Sequence, residues 1–167
     1  MPVFGKKAPE LQRIDDARKA LRRHGEPRPV IMHTVDKIEA AIDVALDDRR
    51  RIGDSLGDFD ADRIAAELKT ALRTKPRPTD PDDDRILSLR RRHEAVHALH
   101  NRRDEIHATI ERTLADLDTF VAERAMALAT SRSDGTFEDL SRWIDTLNDD
   151  AAHLSDTHAA LDRSGGL

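Results

Sequence analysis

Between Asp82 and Asp134 the sequence holds neither glycine nor proline, and apolar side chains recur there at helical spacing. An unbroken run of about 50 residues makes a helix about 75 Å long at 1.5 Å per residue. Globular helices average about 11–12 residues, so a helix of this length confines the chain to rods and bundles. Its stripe is Ile86, Leu89, Val96, Leu99, Ile106, Ile110, Leu114, Leu117, Val121 and Leu128, richest after Ile106. Asp80-Pro81-Asp82-Asp83 marks the start: Asp80 can cap, Pro81 suits the first helical position, and the acids complement the positive end of the helix dipole. The predicted helix covers about residues 80–133.

The rest of the chain repeats the pattern. Ile31, Val35, Ile38, Ile42, Ala45, Arg49, Ile52 and Leu56 alternate steps of 4 and 3, the spacing of a seam that faces a partner helix. Gly53 costs about 1 kcal/mol against alanine inside that helix, so its end can fray or bend there, and Gly57 stops it. A shorter helix follows, capped by Asp60 and closed by Lys75-Pro76-Arg77-Pro78, with Ile64, Leu68, Ala71 and Leu72 inward. The last helix starts at Thr136 and carries Phe137, Leu140, Ile144, Leu147, Ala151, Leu154, His158 and Leu161 at the same alternation. The turn Arg132–Thr136 is short, so this helix folds back antiparallel on the long one. Nothing alternates with period 2, so no strand is predicted. The expected fold is all-α: an elongated antiparallel helical bundle or coiled coil with one very long helix.

Composition closes off several classes of function. With no cysteine there is no disulfide framework, no zinc ribbon and no thiol nucleophile. No apolar run approaches the roughly 20 residues of a membrane-spanning helix, and the N-terminus has no apolar core of a signal peptide. The expected location is cytoplasmic, with a peripheral place on the inner face of the membrane as the alternative.

Charge is uneven. Residues 1–29 hold eight Lys/Arg against four Asp/Glu, whereas the other residues hold twenty against twenty-nine. The head reads as a flexible basic N-terminal arm with a short amphipathic helix, residues 1–29, joined to a helical coiled-coil bundle, residues 30–167. Its short helix steps through Leu11, Ile14, Arg18 and Leu21 and ends at Gly25, Pro27 and Pro29. Arg13, Arg18, Lys19, Arg22 and Arg23 form a basic face that docks on the acidic bundle or meets an anionic partner such as the inner face of a membrane.

Two other features carry chemistry. His93-Glu94-Ala95-Val96-His97 matches H-E-x-x-H, and over these five residues it resembles the zincin metallopeptidase motif. The resemblance implies His93 and His97 as zinc ligands and Glu94 as general base of a hydrolase. A catalytic zinc also needs a third protein ligand and an open coordination position. Read as residues alone, the segment is a solvated helix flank in a series of histidines, His93, His97, His100 and His107. Glu94/His97 and Asp150/His153 have the Glu-x-x-His spacing, or its aspartate analogue, of di-metal bundles, but both pairs lie off the apolar seams.

The arginine clusters Arg49-Arg50-Arg51, Arg90-Arg91-Arg92 and Arg102-Arg103 wrap their helices, since neighbours point 100° apart, and acids interleave them. With only four Phe and one Trp, stacking platforms for nucleic acid are missing as well. The expected function is a non-enzymatic scaffold or adaptor, with no cofactor, acting through protein–protein contact and self-association. Its expected interaction seam is Ile31, Val35, Ile38, Ile42, Ile52, Leu56, Ile86, Leu89, Val96, Leu99, Phe137, Leu140, Ile144, Leu147, Leu154 and Leu161.

Overall fold

The computed structural model describes residues 7–23, 28–75, 82–129 and 136–164, and the side chains of all these except 128–129, 136–140 and 157–164. Five helices account for almost all of it: α1 (Pro9–Arg23), α2 (Pro29–Gly57), α3 (Ala61–Arg73), α4 (Asp84–Ala129) and α5 (Thr136–Ser164). No strand occurs among the described residues, and the fold is all-α.

The helix starts follow from local chemistry. Prolines open α1 and α2, where a missing N–H costs nothing. Pro29 therefore begins the second helix, where the sequence pattern placed it at the end of the first. Asp60 caps α3 by accepting from the Arg63 N–H at 2.8 Å, as its position predicted. At α4 the described cap is Asp83, whose Oδ1 accepts from the Ile86 N–H at 2.8 Å; Asp80 and Pro81 lie outside the described residues. The polar point Asn101–Asp104 does not interrupt α4, which runs unbroken for 46 residues.

The chain divides into two compact units, and α2 and α4 contribute residues to both. The first unit comprises Met1–Asp48 and Ile106–Leu167. Its core joins Ile14, Ala17 and Leu21 of α1 to Ile31, Val35, Ile38 and Ile42 of α2, Ile106, Ile110, Leu114 and Leu117 of α4, and Leu147 and Leu154 of α5, all buried. Full burial of such an aliphatic side chain contributes roughly 1.5–3 kcal/mol. The buried hydroxyls of Thr34 and Thr113 donate to the carbonyls of Val30 and Thr109, each at 3.0 Å, so neither is left unsatisfied. Between α4 and α5, Trp143 Nε1–H donates to Glu123 at 2.8 Å and Arg112 pairs with Asp150 at 3.3 Å. Both pairs sit at matched distances from the 130–135 connection, which is the antiparallel return that the short turn predicted.

The second unit, Arg49–Glu105, is built from the end of α2, α3 and the first half of α4. Ile52, Leu56, Ile64, Ile86, Leu89 and Val96 form its core. The Lys75 ammonium meets Asp82 at 2.7 Å and Arg90 meets the other Asp82 oxygen at 2.8 Å. These pairs tie the C-terminal end of the α3 segment to the start of α4.

Most of the sequence-predicted seam is thus interior to the chain. Ile31, Val35, Ile38, Ile42, Ile52, Leu56, Ile86, Leu89, Val96, Leu147 and Leu154 are buried, and Leu99 and Ile144 are half-buried. The side chains of Leu128, Phe137, Leu140, His158 and Leu161 lie outside the described residues. The short helix α3 departs from expectation. Of the four side chains predicted inward, only Ile64 is buried; Leu68 and Ala71 are half-buried, and Leu72 is 39% exposed.

Candidate functional site

Two places concentrate the residues singled out by the sequence: the basic face of α1 in the first unit and a groove between α3 and α4 in the second.

On α1, three of the five cations are matched by carboxylates of the same unit. Arg13 reaches across to α4, pairing with Asp118 at 2.6 Å and Glu111 at 3.2 Å. Arg18 is the most enclosed: Nη2 contacts Glu39 at 2.7 Å and Asp36 at 2.8 Å on α2, and Nη1 contacts Asp15 at 3.2 Å. Lys19 pairs with Asp16 one turn back, at 3.2 Å. Arg22 and Arg23 are exposed. Lys7 adds a further cation between Asp15 and Glu39. The Arg18 hydrogen bond, with Lys7 helping, holds the Glu39 carboxyl below its ordinary range. Lys7 does the same for Asp15. The arm therefore docks: Ile14, Ala17 and Leu21 fix it to the core, and the acids of α2 and α4 take up much of its charge. Among the described residues no helix is long and apolar enough to cross a membrane.

The groove in the second unit has a volume of about 270 Å³ and is lined by Ala61, Asp62, Ile64 and Ala65 of α3 and His93, Val96, His97 and His100 of α4. Positions 93, 97 and 100 are i, i+4 and i+7, which places three imidazoles within about 60° of arc on one helix face. His93 and His97 stack edge to face with ring centroids 4.6 Å apart. Glu94 is exposed and is not among the lining residues. The five-residue motif therefore splits, with its histidines on the groove and its glutamate off it. No group of three His, Asp or Glu side chains placed to hold a metal ion occurs among the described residues. The second carboxylate–histidine pair, Asp150 and His153, belongs to the other unit. His107, at the edge of the stripe by spacing, is exposed.

The groove exists because α3 is short and its apolar face is broader than the surface it covers. Counting 100° per residue from Ile64, Leu68 lies at about 40°, Ala61 at about 60°, Leu72 at about 80° and Ala65 at about 100°. That flank stays partly open, with Asp62 and Lys69 along its outer edge, both exposed. A second depression of about 230 Å³, lined by Asp58, Phe59, Asp60, Arg63, Ile64, Glu67 and Arg92, carries charges of both signs, and Phe59 is 40% exposed there.

Sequence reasoning missed one close pairing entirely. Asp116 on α4 and Asp150 on α5 face each other, and burial, then the charge and hydrogen bond of Asp150, push the Asp116 carboxyl up. Asp150 Oδ2 and the neighbouring Asn148 Oδ1 are buried without a hydrogen-bond partner. Neither aspartate lies on an apolar stripe, so no spacing signal marks them. No protein-family model, curated protein or solved structure matches this chain.

Proposed function

We propose that this chain is a non-enzymatic helical scaffold that acts through protein–protein contact, in the first place with a second copy of itself. The observation that carries the reading is the incompletely covered apolar face of α3. Every other helix with described side chains buries several large or small apolar residues, whereas α3 buries Ile64 alone. An exposed leucine by itself is ordinary. Here Leu72 continues a flank with the half-buried Leu68, Ala61 and Ala65 at helical spacing, so the partly covered surface is a face and not a single side chain.

The charged surface supports the same reading. The cations of α1 that offer an electrostatic handle for a lipid surface are largely matched by internal carboxylates, and Asp and Glu outnumber Lys and Arg elsewhere in the chain. A scaffold of this kind selects its partner by apolar area and by edge charges that favour one orientation. Solution mass by light scattering and sedimentation, from low to high micromolar protein, tests the proposal. A mass that rises from one copy toward two is the expected result; a mass of one copy throughout overturns it.

A further inference from the structure

From the charge order along α3 we infer that the second copy docks helix to helix and antiparallel, α3 against α3, about a two-fold axis near Ala66. This rests on the self-association proposed above and specifies its surface and register.

The open flank of the helix is electrically polar along its length. Asp62 stands near its start and Lys69 toward its end, while Arg63 and Glu67 pair with each other on the opposite flank at 2.9 Å. A parallel pairing would set acid beside acid and base beside base. An antiparallel pairing sets each acidic end on the basic end of the copy, and it opposes the helix dipoles as well. The choice of orientation therefore needs no further element.

The register follows from which residues share a flank. A two-fold axis perpendicular to a pair of antiparallel helices brings each flank onto the same flank of the copy. Asp62 and Lys69 lie at about 160° and 140° from Ile64, so they share the outer flank and meet as Asp62 with Lys69 of the copy, twice. Ala61 and Leu72 lie at about 60° and 80°, so Leu72 packs over Ala61 of the copy, also twice. Small residues opposite leucines let the two backbones approach closely. Within one helix Asp62 and Lys69 are seven residues apart, about 10 Å along the axis, so the pairing is made between chains and not within one. The histidine wall of the groove, His93, His97 and His100, lines the side from which the copy approaches.

A 13-residue helix offers a contact only about 20 Å long. Interfaces of this size fall at the small, transient end of the range. The dimer is accordingly concentration-dependent.

The test is a charge-reversal cycle in the full chain, read by sedimentation and checked for helicity by circular dichroism. Asp62→Lys and Lys69→Asp each place like charges across the two-fold and should weaken self-association roughly tenfold. The double variant Asp62→Lys/Lys69→Asp restores opposite pairs and should recover most of the loss. Leu72→Ser, on a side chain already exposed, should weaken the dimer while leaving the fold intact. A wild-type dimer indifferent to Leu72→Ser and to the single reversals overturns the α3 interface and leaves self-association standing. A cycle in which the double variant is worse than either single one overturns the antiparallel register. A wild-type chain that stays single overturns the function itself.

Discussion

Arg18 of α1 donates to Glu39 of α2 at 2.7 Å, and the same guanidinium nitrogen meets Asp36 at 2.8 Å, in a setting where the Arg18 side chain is only 17% exposed. Exposed ion pairs contribute little, but an enclosed guanidinium shared among carboxylates contributes more because solvent screens it less. Glu39→Gln is expected to lower stability by about 0.5–1.5 kcal/mol at neutral pH, measured by urea unfolding. The sign with pH follows from the lowered Glu39 carboxyl. A group whose folded pKa is depressed contributes stability above its unfolded value, about 4.3, and loses it as pH falls through the folded value. The stability difference between wild type and Glu39→Gln should therefore close in acid; a difference that stays constant down to pH 2 would contradict the assignment.

Asp116 runs the other way. Its carboxyl is raised by burial and by Asp150, so its protonated form is favoured in the folded chain. That contribution is complete below the unfolded aspartate value, about 3.9, and is lost as pH rises through the raised folded value. Asp116→Asn removes the repulsion while keeping a donor that can face the unpaired Asp150 Oδ2. Thermal melting at pH 7 should show the variant more stable than wild type, by up to about 1 kcal/mol. The gain should shrink toward pH 4. A variant less stable than wild type at pH 7 would show that the two carboxyls are held by something other than each other.

Gly53 sits inside α2 with helical neighbours on both sides, and a methyl group added there meets nothing within 4 Å. Its cost is the conformational freedom it gives the unfolded chain. Gly53→Ala should stabilise by about 0.5–1 kcal/mol, which for a chain of this length raises Tm by roughly 1–4 °C. Differential scanning calorimetry is sufficient to read this, and a lower Tm would mean that α2 bends at that point in the native state.

The histidine wall separates a metal-dependent fold from a metal-independent one. Glu94 lies off the groove, and although His100 and Asp62 line it with His93 and His97, no three of the described side chains are placed to hold a metal ion together. Treatment with a strong chelator should leave both helicity and Tm unchanged. A chelator-induced drop in Tm that His93→Ala abolishes would instead make the pair a structural metal site.

Several elements were legible in the sequence because their causes are local. The Asp60 cap is a four-residue matter, and the α2 seam from Ile31 to Leu56 is a period any helix with a partner must show. The continuity of α4 follows from the lack of a breaker, and the antiparallel return of α5 from the shortness of the turn. The described start of α4 is capped by Asp83, and Asp80, equally good by type, lies outside the described residues.

What the sequence by itself determined is the set of helices and which stripe of each is apolar, since propensity, caps and spacing act within a few residues. What only the tertiary structure decided is which charges meet and which apolar face stays open. Arg13 finds Glu111 and Asp118 at 98 and 105 residues' remove. Asp116 finds Asp150 on another helix, and Leu72 is left exposed because α3 is broader in apolar face than the surface beneath it. Charge pairing and burial depend on distance in space, and a one-dimensional period carries no record of which stripes lie opposite one another.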